Sequence, residues 1–150
     1  MRAVVQRVTD ANVAVDGKIT GQIGKGMVVL IGVENEDEKK DIDYIAKKIA
    51  NLRIFDDSEG VMNLNIKDAG GDVLAISQFT LLGDARGGNR PSWFAAAKPE
   101  IAKGLYEKVV AALKEDYGLH VEEGVFQAEM LVHINNDGPV TILLDSRKTF

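Results

Sequence analysis

The sequence predicts an α+β fold: one domain in which a β-rich mixed or antiparallel sheet, or an open barrel, carries two main helices. Three observations lead there. The chain has 150 residues and 45% hydrophobic content, inside the range of one domain with a substantial core. Roughly eight segments alternate or run apolar as strands do. Two longer segments repeat apolar residues at 3–4 spacing, and they interleave irregularly with the strands.

Val4 to Thr9 alternates, and Asn12 to Asp16 alternates again before the turn signal Asp16-Gly17. Lys18 to Ile23 returns as a strand, and Gly24-Lys25-Gly26 breaks the chain. Met27 to Val33 is nearly all apolar, the pattern of a strand buried on both faces. Asn35 with Glu38 predicts a helix start, followed by Ile42, Ile45, Ala46 and Ile49 on one stripe. Leu52 to Phe55 predicts a short strand. Asp56–Gly60 and Gly70-Gly71 predict turns. Val73 to Ser77 reads as a buried strand running into Gln78-Phe79-Thr80-Leu81, then a long loop from Gly83 to Pro91. A second helix is expected from Pro99, with Ile101, Leu105, Val109 and Leu113 inward and Gly118 just past its end. Ala128 to Ile134 alternates, Asn136-Asp137-Gly138 signals a hairpin turn, and Val140 to Leu144 is the final strand.

Composition excludes several chemistries. There are no cysteines, which removes disulfides, thiol catalysis and cysteine zinc sites. His120 and His133 have no partner at i+3 or i+4, so no metal and no cofactor is expected. GxxxxGK[ST] and GxSxG are absent, and Gly21, Gly24 and Gly26 have the wrong spacing for a dinucleotide loop. Arg7 interrupts any signal-peptide core, and no apolar run approaches membrane length. The expectation is a cytoplasmic protein with no membrane partner. A net charge of −5 argues against general nucleic-acid coating, so no DNA partner is expected, although one end of a nucleic acid remains within reach of a local basic patch.

Two regions carry chemical interest. Ser77 and Thr80 close an apolar strand, where rigid scaffolds often place reactive groups, but no histidine lies nearby in sequence to activate either hydroxyl. The stretch Gly83–Lys103 holds Arg86, Arg90, Lys98 and Lys103 against Asp84 and Glu100, with Trp93 and Phe94 among them. Basic residues interleaved with aromatics suit phosphates and stacked bases. The alternative is a surface loop whose aromatics fold inward. At this level an enzyme, a nucleic-acid-binding module and a dimeric scaffold all stay open.

Ser77-Gln78-Phe79-Thr80-Leu81, Gly88-Asn89-Arg90-Pro91-Ser92 and Asn136-Asp137-Gly138-Pro139-Val140-Thr141 occur in that order. Together with Gln6-Arg7-Val8, Leu52-Arg53-Ile54-Phe55 and Met62-Asn63, they resemble the D-aminoacyl-tRNA deacylases, from Met1 to about Ser146. Trp93, Leu82 and Gln127 depart from the phenylalanine, tyrosine and glycine expected at those places. These departures bear on loop packing and substrate preference, not on the two main motifs.

The resemblance implies a metal-free, cofactor-free homodimer acting on the 3′ aminoacyl end of tRNA. It hydrolyses the ester of a D-amino acid, or of glycine mischarged on tRNA(Ala). The implied catalytic residues are Ser77, Gln78, Phe79 and Thr80. The implied substrate-binding residues are Gly138 and Pro139, joined by a cis bond and acting across the dimer to reject L-amino acids, with Arg7 and Met130. The chemistry agrees: an aminoacyl ester is already activated, and backbone N–H groups at Phe79 and Thr80 suit a developing oxyanion. The resemblance implies that the ribose 2′-OH of the substrate takes part, with Thr80 and Gln78 orienting groups and not attacking; how the 2′-OH, Thr80 and water divide the proton transfers stays open at this level.

Overall fold

Arg2–Val15 forms one 14-residue strand, β1, that organises the sheet. The computed structural model describes residues 1–150. Two strands lie antiparallel along one edge of β1: β2 (Lys18–Ile23) beside its second half and β3 (Gly26–Gly32) beside its first. After a small hairpin, β4 (Phe55–Asp56) with β5 (Met62–Leu64), the sheet continues with β6 (Asp72–Ser77) parallel to β3. β7 (Val121–Glu123) is parallel to β6. β8 (Leu131–Asp145) runs antiparallel along the other edge of β1.

The order β2-β1-β3-β6-β7 curls until its two ends meet. Gly21 on β2 makes that closure possible, because a Cβ there would stand 2.6 Å from the Glu123 carbonyl oxygen on β7. Mixed pairing and near closure together give the α+β, open-barrel architecture.

Two apolar layers explain the long run in β3. Met27, Val29 and Ile31 face a core shared with α1 (Lys39–Asn51) and α2 (Pro99–Glu115), which pack on each other over the sheet. Val28 points the other way, into the barrel with Val8, Ala11, Val13, Leu74 and Ile76. Each fully buried aliphatic side chain of this kind is worth about 1.5–3 kcal/mol.

Several expectations shift. Glu38, not Asn35, caps α1, and its N–H donates to Asp41 Oδ2 at 2.8 Å. Asn35 instead holds the loop before α2: its N–H donates to Ala95 O at 2.9 Å and its Nδ2 to Phe94 O at 2.7 Å. The buried stripe of α2 is Ala102, Tyr106, Val109, Val110 and Leu113, while Ile101 is 55% exposed. Ala102 takes the inward place expected of Ile101. The strand expected at Leu52–Phe55 begins only at Phe55, and the short β7 was not foreseen. The two expected C-terminal strands are one, β8, so Asn136-Asp137-Gly138 is not a hairpin turn.

Candidate active site

The buried strand β6 ends at Ser77, and Gln78 extends the ladder by donating its N–H to Ile31 O at 2.8 Å. The chain then turns into a 3-10 helix, Phe79–Leu82, anchored by the buried side chain of Leu82. The first N–H groups of a helix have no intrahelical partner. Phe79 and Thr80 hold those positions, and neither N–H donates to a carbonyl in the surrounding loops. Two backbone donors thus stand free side by side at the end of a rigid strand.

These donors adjoin a cavity of about 580 Å³, a size usual for small-molecule sites. Ser77, Gln78 and Phe79 line it together with Phe126 and with Met130, just before β8. Ala97, just before α2, and Ala102 and Tyr106 on α2 also line it. Trp93 meets Phe79 edge to face, with ring centroids 5.3 Å apart. Thr80 is exposed beside the cavity, and its hydroxyl accepts from Gln78 Nε2. The cavity therefore brings together Ser77, Gln78, Phe79 and Met130, with Thr80 next in the chain.

The walls carry little acid–base chemistry. Burial, reinforced by Glu123, pushes the Tyr106 phenol far above its usual range, so it stays protonated. Its hydroxyl donates to Ala75 O at 3.1 Å. Both histidines lie elsewhere on the exposed surface, His133 on the outward face of β8 and His120 beside Glu122 at 3.0 Å. Gln127, on the cavity wall, has φ +64°, a conformation that favours the glycine expected there from the resemblance.

Gly138 and Pro139 are exposed and lie outside the cavity, as part of a bulge in β8. Gln6 pairs with Thr141 and Val8 with Asn136, so the single β1 residue Arg7 faces four residues, Asp137–Val140. Asn136 closes the bulge at its root. Its Nδ2 donates to Arg7 O at 2.9 Å and to Val140 O at 3.0 Å.

Arg7 supports the bulge from below. Its buried guanidinium donates from Nη1 to Ile54 O at 2.8 Å. Its Nε lies 3.2 Å from Asp137 Oδ2 in an ion pair whose angle is too poor for a hydrogen bond. Gly138 adopts φ +116°, and a Cβ there would lie 2.9 Å from Val140 Cγ2 and 3.0 Å from Arg7 Nη2. The Gly138–Pro139 bond is cis. Arg7, Gly138 and Pro139 thus form a second group, apart from the first within one chain.

Sequence reading alone did not find the cavity walls at Ala97, Ala102, Tyr106 and Phe126. Only Tyr106 left a trace, as a polar-tipped aromatic on an inward helical face. The role of Asn136 was also hidden, since its pairing with Arg7, 129 residues away in sequence, is set by the register of β8 on β1.

Comparison with known proteins finds matches along nearly the whole chain. Residues 4–145 match the family described as D-Tyr-tRNA(Tyr) deacylase. D-aminoacyl-tRNA deacylases of Fervidobacterium nodosum and Kosmotoga olearia are 61% and 57% identical over 150 residues, covering all of both chains. A solved structure titled c-Myc DNA Unwinding Element Binding Protein superposes with a TM-score of 0.91 at 42% identity, covering 97% of this chain and 98% of its own. Another, of a probable eukaryotic D-amino acid tRNA deacylase, has a TM-score of 0.79 at 14% identity, covering 95% and 97%, and speaks to the fold alone. Spanning these relatives from end to end, the chain belongs to the D-Tyr-tRNA(Tyr) deacylase family.

Proposed function

We propose that the chain hydrolyses the ester of D-aminoacyl-tRNA in the cavity at the end of β6, with the Phe79 and Thr80 N–H groups binding the developing oxyanion. The observation that carries this is the pair of free donors beside a closed apolar wall. Preorganised donors of this kind are worth about 10²–10³ in rate each. Family membership supports the hydrolase assignment over the whole chain.

In the reaction, water adds to the ester carbonyl carbon and the bond to the ribose 3′ oxygen breaks. The products are free D-amino acid and tRNA with its 3′-OH restored. No carboxylate or imidazole lines the cavity, and Tyr106, which shares the wall with Lys98, is held protonated. The substrate's 2′-OH therefore relays the proton, while Gln78 and Thr80, tied to each other, orient it.

Selectivity belongs to the second group. Gly138 and Pro139 from a second copy of the chain enter the cavity, and their carbonyls capture the substrate's amino group so that an L side chain has no room. A thousandfold preference needs about 4 kcal/mol. Glycine, with no side chain, passes the filter, so glycyl-tRNA(Ala) is also a substrate. The separation of the two groups within one chain, and the exposed Leu131 and Leu143 on the outer face of β8, support a homodimer. A substrate made during translation sets the reaction in the cytoplasm.

The test is incubation with matched D- and L-aminoacyl-tRNA, with and without a strong chelator. Release of the D-amino acid, indifferent to chelator, is the expected result. Equal release from both enantiomers, or loss of activity that zinc restores, overturns the reading.

A further inference from the structure

The ten residues Ala85–Phe94, leading from the 3-10 helix toward α2, are all exposed. Exposure here does not mean a loose loop, because its root is fixed at three points. Asp84 and Ser92 exchange backbone hydrogen bonds of 2.9 and 2.8 Å. Trp93 packs its ring against Phe79 at the cavity. Asn35 donates from Nδ2 to Phe94 O at 2.7 Å and from its backbone N–H to Ala95 O at 2.9 Å. The Phe94 ring is nevertheless 89% exposed, while Ala96 and Ala97, two and three residues on, already line the cavity. A large aromatic is thus held out in water at the cavity rim by a fixed backbone.

The charges beside it are of the opposite sign to the chain as a whole, which is net −5. Arg86 is neutralised by Asp84 through bonds of 2.9 and 2.7 Å. Arg90 and Lys98 enter none of the chain's ion pairs. Unpaired cations four residues before and four residues after an exposed ring, at the mouth of a cavity, match a single strand that carries a phosphate and a base face at every step.

We propose that the loop Ala85–Phe94 docks the unpaired 3′ strand of an RNA whose last nucleoside occupies the cavity, Phe94 stacking on a base and Arg90 binding a phosphate. The inference rests on the proposed function for the orientation of that strand, and it assigns substrate binding to residues outside the reacting centre.

The test compares two substrates on the intact protein: D-aminoacyl-tRNA and D-aminoacyl-adenosine, which has no strand beyond the terminal nucleoside. Phe94→Ala should lower kcat/KM for the tRNA substrate about tenfold, the size of one base stack, and leave the adenosine substrate unchanged. Phe94→Tyr should restore the tRNA rate. Arg90→Ala should reduce the salt dependence of tRNA binding by about 0.7 in log–log slope, and Arg90→Lys should keep it. Equal losses on both substrates, or none on either, overturn the proposal.

Binding of uncharged tRNA, measured by filter retention, separates this surface from the hydrolytic reading. Weaker binding by Phe94→Ala supports the docking surface even if the wild type cleaves neither ester. Unchanged RNA binding together with a shifted dimer dissociation constant assigns the loop to a second copy of the chain and overturns the proposal.

Discussion

The end of β6 and the bulge in β8 are both departures from regular structure, but they are built by opposite means. At the end of β6 the chain leaves a buried parallel strand and tightens into a 3-10 helix, so donors are left free by the backbone itself. Its walls are apolar and its partner groups few. In β8 an excess of residues opposite Arg7 is pushed out and then fastened by polar side chains: Asn136 at the root, Arg7 beneath, Asp137 at the flank. The first arrangement suits stabilising charge that appears during a reaction. The second suits holding backbone atoms at one orientation toward something outside the chain. The difference teaches that, on the proposed reading, rate and selectivity belong to separate regions, so each should be open to perturbation without the other.

The largest effect is expected from the substrate. Replacing the terminal adenosine by its 2′-deoxy form should slow hydrolysis by roughly 10²–10⁴, the usual weight of a proton-transfer group. Thr80→Ala should cost less than about tenfold, because the Thr80 hydroxyl is engaged with Gln78 and faces no base. Single-turnover rates on both substrates check this ranking, and an acyl group trapped on Thr80 would reverse it.

The next effect falls on the other region. Gly138→Ala places a methyl group 2.9 Å from Val140 and 3.0 Å from Arg7 at a φ of +116°. The bulge must shift, so the ratio of D- to L-substrate hydrolysis should fall at least tenfold while the rate on D-substrate changes little. A preserved ratio in a folded protein removes Gly138 from the filter. Asn136→Ala is milder for selectivity but reaches stability. It strips a donor from two carbonyls at the root of the bulge, which should cost about 1–3 kcal/mol in denaturant unfolding. A drop in stability with an unchanged D/L ratio would mean that Arg7 alone orients the bulge.

How legible each region was follows from how local its causes are. The apolar run Met27–Val33 announced a strand buried on both faces, and the stripe Ile42, Ile45, Ala46, Ile49 announced α1, because burial periodicity is written in consecutive residues. The stripe of α2 was misread by one position since Ile101 is exposed while alanines, weak as signals, face inward. Ser77–Thr80 stood out as a polar end on an apolar strand, and the family motifs lent it a role. Asn136-Asp137-Gly138 misled as a hairpin: its composition is that of a turn, but its conformation depends on Arg7 across the β1–β8 pairing. The cavity walls drawn from α2 and the segment before β8 are set by tertiary packing and, Tyr106 aside, have no local signature.

The smallest effect expected is at Tyr106, and it tests the contrast where it is most exposed to error. Tyr106 is a titratable hydroxyl on the cavity wall, so it is the natural candidate for a protein base that would make the substrate's 2′-OH unnecessary. Burial, with Glu123 adding to it, keeps the proton on the phenol throughout the working pH range, and that proton is committed to Ala75 O. Tyr106→Phe removes one donor from a buried carbonyl and keeps the ring. The expected cost is about 1 kcal/mol in stability, with a hydrolysis rate within about threefold of wild type and an unaltered pH profile between pH 6 and 9. A rate collapse in a folded Tyr106→Phe protein, or the loss of an ionisation from that profile, would put a base inside the cavity and join catalysis to the side chains rather than to the backbone at the end of β6.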